Sequence, residues 1–443
     1  MMPHVPACRQ AGEKDSPNPP HDPISSLIYF VYMEHMPERK FGKEQEFHDQ
    51  RWAKQEAERG LRDRLVGKTK DDFMREEALR DDADFEKKFI RESKKEYETW
   101  EAHCKPVRQA FLEQARDREG VDFVTVAAFL PGGMRAAGIA GSALALDFLG
   151  ANSGTVDYAV GSSSGDTVAT RFVGGREELL RGIGMFTGPL ADKKFIDIRR
   201  PGNAININYM KALEDNGEYA LDQGAIQKAH CKLWTVVTEP MKGNTEPQVR
   251  ILDKKAIKPS ISTGSVATMS IPGFTGDIPE IDGTKYHDGG FGVFPIKEIV
   301  EKVKAENPDK KVKVLIFTQA SFDAMADIKP SSTTELAAKL MGSAARPMEV
   351  LGSGKAGSTF QHLAKALVLK ENLRKSLEAI EKETGADIGV IWAPPSSLDT
   401  MSIDADELQM AVSQSFRGTV ELFGGEQPDE IPNYTPKKER LAA

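Results

Sequence analysis

Short apolar runs rich in β-branched and aromatic residues recur along this sequence, separated by stretches of helical or irregular character. The first run, VDFVTVAAFL at residues 121–130, predicts a strand that is buried on both faces. Strands that alternate with helices are typical of an α/β fold with a mainly parallel central sheet sandwiched by helices. Further strands are predicted at Val156–Val160, Lys232–Thr238, Val312–Thr318 and Ile388–Trp392, and helices at Ala136–Leu149, Asp166–Val173 and Leu373–Lys382.

Composition divides the chain into four segments. Residues 1–33 are rich in proline and poor in large apolar residues, which predicts a disordered leader. In residues 34–119, charges of both signs are interleaved and apolar residues are sparse, which predicts a charged helical extension. The α/β domain is expected over residues 120–425, and a flexible tail rich in proline and charge over residues 426–443.

The extension at 34–119 has two interpretations. Its apolar residues, among them Trp100, Val107 and Phe111, recur at steps of three and four, as on helices with one apolar stripe. The pattern favours ordinary surface helices. The alternative is a docking arm for a partner protein or for a membrane surface.

Charge and cysteine content exclude some classes of function. The formal net charge is −8, so the basic surface that nucleic-acid binding requires is not expected. The three cysteines lie far apart, and the histidines lack the spacing of metal ligands, so neither a disulfide framework nor a metal site is predicted. The sequence shows no signal peptide or transmembrane span, and the expected location is cytoplasmic or at the periphery of a membrane.

The pentapeptide GSSSG at Gly161–Gly165 directly follows a predicted strand and precedes a predicted helix. The pattern G-x-S-x-G at such a junction places a serine on a sharp turn, where its hydroxyl can act as a nucleophile. Small neighbours allow strand and helix to approach closely. Ser163 is therefore the candidate nucleophile, although the same five residues also occur in flexible linkers.

Two further motifs could complete such a site. PGGMR at Pro131–Arg135 follows the first strand, and its consecutive glycines could direct backbone N–H groups at a substrate oxygen. YHDGG at Tyr286–Gly290 contains Asp288, a candidate general base. The adjacent His287 is expected on the opposite face of its strand, away from Ser163. Taken singly, each motif could also be a plain turn.

Together, in this order and spacing, the three motifs resemble the patatin-like phospholipases, particularly the bacterial branch. The resemblance spans about residues 123–317 and includes KPSISTGSVATMSIP at 258–272. It implies a Ser163–Asp288 dyad and an oxyanion hole formed by the N–H groups of Gly132 and Gly133. Arg135 would stabilise the oxyanion loop, Gly161 and Gly165 would shape the nucleophile turn, and Gly289 and Gly290 would follow the aspartate. Two departures are Pro131, which has no N–H, and Ala136, where the family usually has glycine.

The implied activity is hydrolysis of fatty-acyl esters in phospholipids or other lipids, without a cofactor. One alternative is an α/β-hydrolase with a Ser-Asp-His triad, for which His362 is the only histidine after Asp288. Another is a catalytically weak binding or scaffold module.

Overall fold

The computed structural model describes residues 83–197, 199–200, 202–239, 248–276, 278–291, 294–318, 373–392 and 401–433. These residues belong to one compact unit, Gln55–Ala443. Its helices are α1 (Ala83–Arg116), α2 (Ala136–Phe148), α3 (Ser164–Gly174), α4 (Arg176–Thr187), α5 (Ile207–Asp215), α6 (Gln223–Lys228), α7 (Ile261–Ala267), α8 (Ile296–Glu306), α9 (Leu373–Thr384) and α10 (Ala405–Leu422).

The strands are β1 (Phe123–Phe129), β2 (Tyr158–Ser162), β3 (Lys232–Thr238), β4 (Val249–Asp253), β5 (Glu280–Ile281), β6 (Thr284–Lys285), β7 (His287–Asp288), β8 (Lys311–Thr318) and β9 (Asp387–Trp392). The central sheet has the order β4-β3-β2-β1-β8-β9. Strands β1, β2, β3, β8 and β9 are parallel, whereas β4 runs antiparallel to β3. The predicted α/β class with a mainly parallel central sheet is confirmed.

Helices cover both faces of the sheet, as the alternation of side chains along β1 shows. Ala127 and Phe129 pack into a core with helices α2, α3, α4 and α10. Val126 and Ala128 point the other way, into a core with α8 and α9. With both faces buried, the central strands are apolar at nearly every position, which is why the sequence revealed them so clearly.

The C-terminal half of helix α1, from Trp100 onward, packs against the central sheet. It packs on β8 and β9, with Cys104, Val107 and Phe111 buried. The backbone N–H of Val390 in β9 donates a hydrogen bond to Cys104 Sγ at 3.3 Å. The apolar stripe of the C-terminal half of α1 is thus buried, and residues 34–82 of the predicted extension lie outside the described residues.

The stretch that ends at Asp288 contains three strands of two residues each. Strands β5 and β6 form a hairpin closed by Asp282 and Gly283, both with positive φ, and β7 leaves it to pair with β3. The predicted second strand is displaced, since β2 runs on to Ser162 and delivers the chain directly to Ser163.

Among the residues that the structure describes, none of the helices combines the length and the apolar character that crossing a membrane requires. The described residues likewise hold no group of three or more His, Cys, Asp or Glu side chains placed to bind a metal ion.

Candidate active site

Ser163 lies on a sharp turn between β2 and α3, at the carboxyl edge of the sheet. Its backbone has φ 52° and ψ −136°, a region that residues with a side chain rarely adopt. This strained turn is the backbone feature that G-x-S-x-G predicts for a nucleophile. The Ser163 side chain is largely buried, and its Oγ donates a hydrogen bond of 2.8 Å to Asp288 Oδ2.

The two glycines of the pentapeptide are required by close backbone contacts. A Cβ on Gly161 would lie 2.3 Å from Asp166 Cα, and one on Gly165 would lie 2.4 Å from the carbonyl oxygen of Phe129. Both distances are far below any real carbon contact. Helix α3 can therefore sit tightly behind β1 and β2 only if these positions lack side chains, as the sequence interpretation held.

The register of β3 explains how Asp288 reaches Ser163 across 125 positions of sequence. Strand β2 ends with Ser162 opposite Val236. The next residue of β3, Val237, pairs with Asp288 of the antiparallel β7. Because β4 occupies the other edge of β3, β7 takes the place beside β3 that β2 vacates when the chain turns at Ser163.

Several hydrogen bonds hold Asp288 in that place. Its second carboxylate oxygen, Oδ1, accepts the N–H of Gly290 at 2.6 Å. Its backbone N–H donates to the carbonyl of Ser270 at 2.8 Å, and its carbonyl accepts the hydroxyl of Thr238 at 3.0 Å. One carboxylate oxygen is thus engaged by a backbone donor, and the other is directed at Ser163.

The two glycines that follow Asp288 are required for different steric reasons. A Cβ on Gly289 would lie 2.3 Å from the carbonyl oxygen of Val236, so only glycine allows this approach to β3. A Cβ on Gly290 would lie 2.9 Å from Asp288 Oδ1. His287 precedes Asp288 on the two-residue strand and is less buried than Asp288.

The PGGMR loop lies against both other motifs. The N–H of Gly132 donates to Ser164 Oγ at 3.2 Å, and Pro131 is 3.5 Å from the position of a Cβ on Gly290. The N–H of Arg135 donates to the Gly132 carbonyl at 3.2 Å, so Arg135 closes the loop through its backbone. The structure therefore brings all three motifs to one place.

The loop geometry distinguishes the two predicted oxyanion donors. Gly132 already uses its N–H on Ser164 Oγ. Gly133 begins a short 3-10 turn with φ 59°, so its N–H has no partner within that turn. Of the two predicted donors, Gly132 is thus the one whose N–H is engaged by Ser164 Oγ.

Sequence reasoning missed two residues that belong to this site, Ser164 and Thr268. Ser164 is the first residue of α3, and the N–H groups of a first helical turn have no intrahelical acceptor. Its position directly after the nucleophile was the signal that could have identified it. Thr268 is the other, because its hydroxyl accepts the N–H of Ser163 at 2.9 Å. It lies within the stretch 258–272 that carried the resemblance, but nothing in its local pattern distinguished it.

A cavity of about 310 Å³ lies away from the dyad. It opens at the amino ends of β1 and β2, opposite Ser163, and Gln114, Arg118 and Lys310 are among its lining residues. A polar, charged lining does not suit a fatty-acyl chain. The cavity therefore adds nothing to the chemistry of the dyad.

No model of a known protein family matches this sequence, and no curated protein matches it.

Proposed function

We propose that this chain is a serine acyl hydrolase of the patatin type. The observation that carries the proposal is the 2.8 Å hydrogen bond from Ser163 Oγ to Asp288 Oδ2, on a turn with positive φ. A hydroxyl and a carboxylate in direct contact, with Ser163 and Asp288 only 9 % and 7 % exposed, form a nucleophile and its base.

The proposed reaction has two steps. Asp288 accepts the proton of Ser163 Oγ as that oxygen attacks the ester carbonyl, and the alcohol leaves with a proton returned by Asp288. The acyl group is then bound to Ser163. Water attacks this acyl-enzyme, Asp288 takes the water proton and passes it to Ser163 Oγ, and the fatty acid is released.

A carboxylate is a weak base for a serine hydroxyl in water, so the surroundings of Asp288 matter. The carboxylate is buried, and its Oδ1 is held by Gly290, which leaves Oδ2 for the proton. The dyad is therefore pre-oriented and needs no side-chain rearrangement before it reacts.

Developing negative charge on the substrate oxygen requires nearby N–H donors. The loop at Gly132 and Gly133 and the start of α3 at Ser164 both lie beside the nucleophile. We propose that Gly133 and Ser164 supply the first donors, and that Gly132 joins them when it releases Ser164 Oγ. The N-terminal dipole of α3 adds positive potential at the same point.

The motif resemblance supports the finer parts of the proposal. It favours a patatin-like version of the α/β fold and lipid esters or phospholipids as substrates, met at the periphery of a membrane in the cytoplasm. No cofactor enters the reaction. Within the segment 34–119, we propose that a protein partner binds the residues before Trp100, where the buried half of α1 begins.

The test uses purified full-length protein and a short-chain nitrophenyl ester. Ser163→Ala and Asp288→Asn are each expected to lower kcat/KM by about 10⁴-fold or more, because the dyad acts as one unit. Ser413→Ala, on α10 with its hydroxyl bonded to the Gln409 carbonyl, is the matched control and should be unchanged. Near wild-type activity in either dyad variant would reject the assignment.

One observation favours the rival binding module. Pro131 has no N–H and the Gly132 N–H is engaged by Ser164 Oγ, so fewer donors face a substrate than two free glycines would provide. An inert wild-type chain that still binds lipid would support this rival. The triad alternative requires His362, which lies outside the described residues, and His362→Ala should leave activity intact if the dyad is correct.

A further inference from the structure

We infer that Thr268 is a positioning residue that holds the Ser163–Asp288 dyad in its reactive geometry. This inference rests on the proposed function. Thr268 is fully buried and directly follows α7. Its hydroxyl oxygen accepts the backbone N–H of Ser163 at 2.9 Å and donates its own proton to the carbonyl of Val236.

The backbone around Thr268 holds the other half of the dyad. The carbonyl of Thr268 accepts the N–H of Gly289 at 3.1 Å, and the carbonyl of Ser270 accepts the N–H of Asp288 at 2.8 Å. Residues 268–270 therefore accept hydrogen bonds from the backbone N–H groups of Ser163, Asp288 and Gly289. A shift of this segment would change the distance between Ser163 Oγ and Asp288 Oδ2.

The hydroxyl matters most because the turn at Ser163 is strained. On this turn, with φ at 52°, the buried Ser163 N–H has Thr268 Oγ1 as its acceptor. Without that acceptor, a buried donor is left unpaired. The free energy of the turn is then lowered if the backbone relaxes toward an ordinary conformation. The nucleophile would then move away from its base.

The experiment compares three variants of the full-length chain. Thr268→Val keeps the shape and removes the hydroxyl, whereas Thr268→Ser restores it. Thr275→Val is the matched control, because Thr275 is also fully buried and its hydroxyl likewise accepts a backbone N–H and donates to a carbonyl, both of Ile271. The probe substrate is the same nitrophenyl ester, and circular dichroism and thermal unfolding report folding.

The expected result is a fall of about 10²-fold in kcat for Thr268→Val, with KM little changed, because only the geometry of the reacting groups is altered. Thr268→Ser should recover most of the rate, and Thr275→Val should lose stability but keep its kcat. If Thr268→Val does not fold, Thr268→Ala takes its place in the same comparison.

Two failures are distinguishable. An active wild type with Thr268→Val, or its Ala substitute, at the rate of Thr275→Val overturns this inference and leaves the hydrolase intact. A folded wild type without activity overturns the proposed function and, with it, the role of Thr268.

Discussion

At Ser163 the backbone occupies a conformation that costs free energy, and the neighbouring glycines make room for it. Gly161 and Gly165 lie where a strand, a helix and the end of β1 meet at backbone contact distance. Backbone strain of this kind persists only where the surrounding structure determines the backbone on both sides. Here the close packing of the glycines and the Thr268 hydrogen bond do so.

The variant Gly165→Ala tests this packing. Its Cβ would lie 2.4 Å from the Phe129 carbonyl oxygen, so β1 and α3 must separate. We expect a loss of about 1–3 kcal/mol in the free energy of unfolding, measured by urea titration, together with a large loss of activity. Gly224→Ala, on the exposed side of α6, is the control and should be neutral or slightly stabilising. A Gly165→Ala protein as stable as wild type would contradict the packing account.

Most residues of the candidate site could be predicted because each belongs to a motif with a local cause. Gly161 and Gly165 follow from the turn, and Asp288 from its two glycines. Thr268 could not be predicted, since its role depends on a register between β3 and β7 that no local pattern encodes. For the same reason, the engagement of the Gly132 N–H by Ser164 could not be foreseen.

Among the secondary-structure elements, strands that are buried on both faces could be predicted from the sequence, and less buried strands could not. The parallel strands have continuous apolar runs and were placed within about two residues. Strand β4, at Val249–Asp253, was missed because it is only half-buried and carries a charged residue inside. Strands β5, β6 and β7 have two residues each, which is too short to show the alternation of apolar and polar residues typical of a strand.

In helix α1 the apolar stripe seen in the sequence is buried against the sheet. Phe111 is 1 % exposed and packs in the core beside the sheet. Phe111→Ala is therefore expected to lower the free energy of unfolding by about 3–5 kcal/mol. The neighbouring exposed Gln109→Ala should change it little. Equal urea midpoints for the two variants would show that α1 does not belong to the core.

For the whole molecule, two buried carboxyls predict how stability depends on pH. Burial raises the pKa of Asp166 in α3 to about 7, opposed in part by the hydroxyls of Thr235 and Ser265. Burial also raises the pKa of Glu214 in α5 to about 8. Both groups bind their proton more tightly in the folded protein than in the unfolded chain, whose carboxyls titrate near pH 4.

Their contribution to stability is therefore complete below about pH 4 and is lost as the pH rises through about 7 to 8. In Glu214→Gln the free energy of unfolding should fall less steeply between about pH 5 and pH 9 than in wild type. Exposed Glu113→Gln is the control. Urea titrations across this range measure the slopes, and parallel curves for wild type and Glu214→Gln would contradict the prediction.

Activation of Ser163 by Asp288 is measured most directly by reacting the folded full-length chain with a fluorophosphonate and identifying the modified peptide by mass spectrometry. Phosphonylation requires a serine whose hydroxyl is activated by a base. We expect a single modified residue, Ser163, and a rate at least about 10²-fold lower in Asp288→Asn. Two results would show that Asp288 does not activate Ser163: a folded wild-type chain that stays unmodified at Ser163, or the same rate of modification in wild type and in Asp288→Asn.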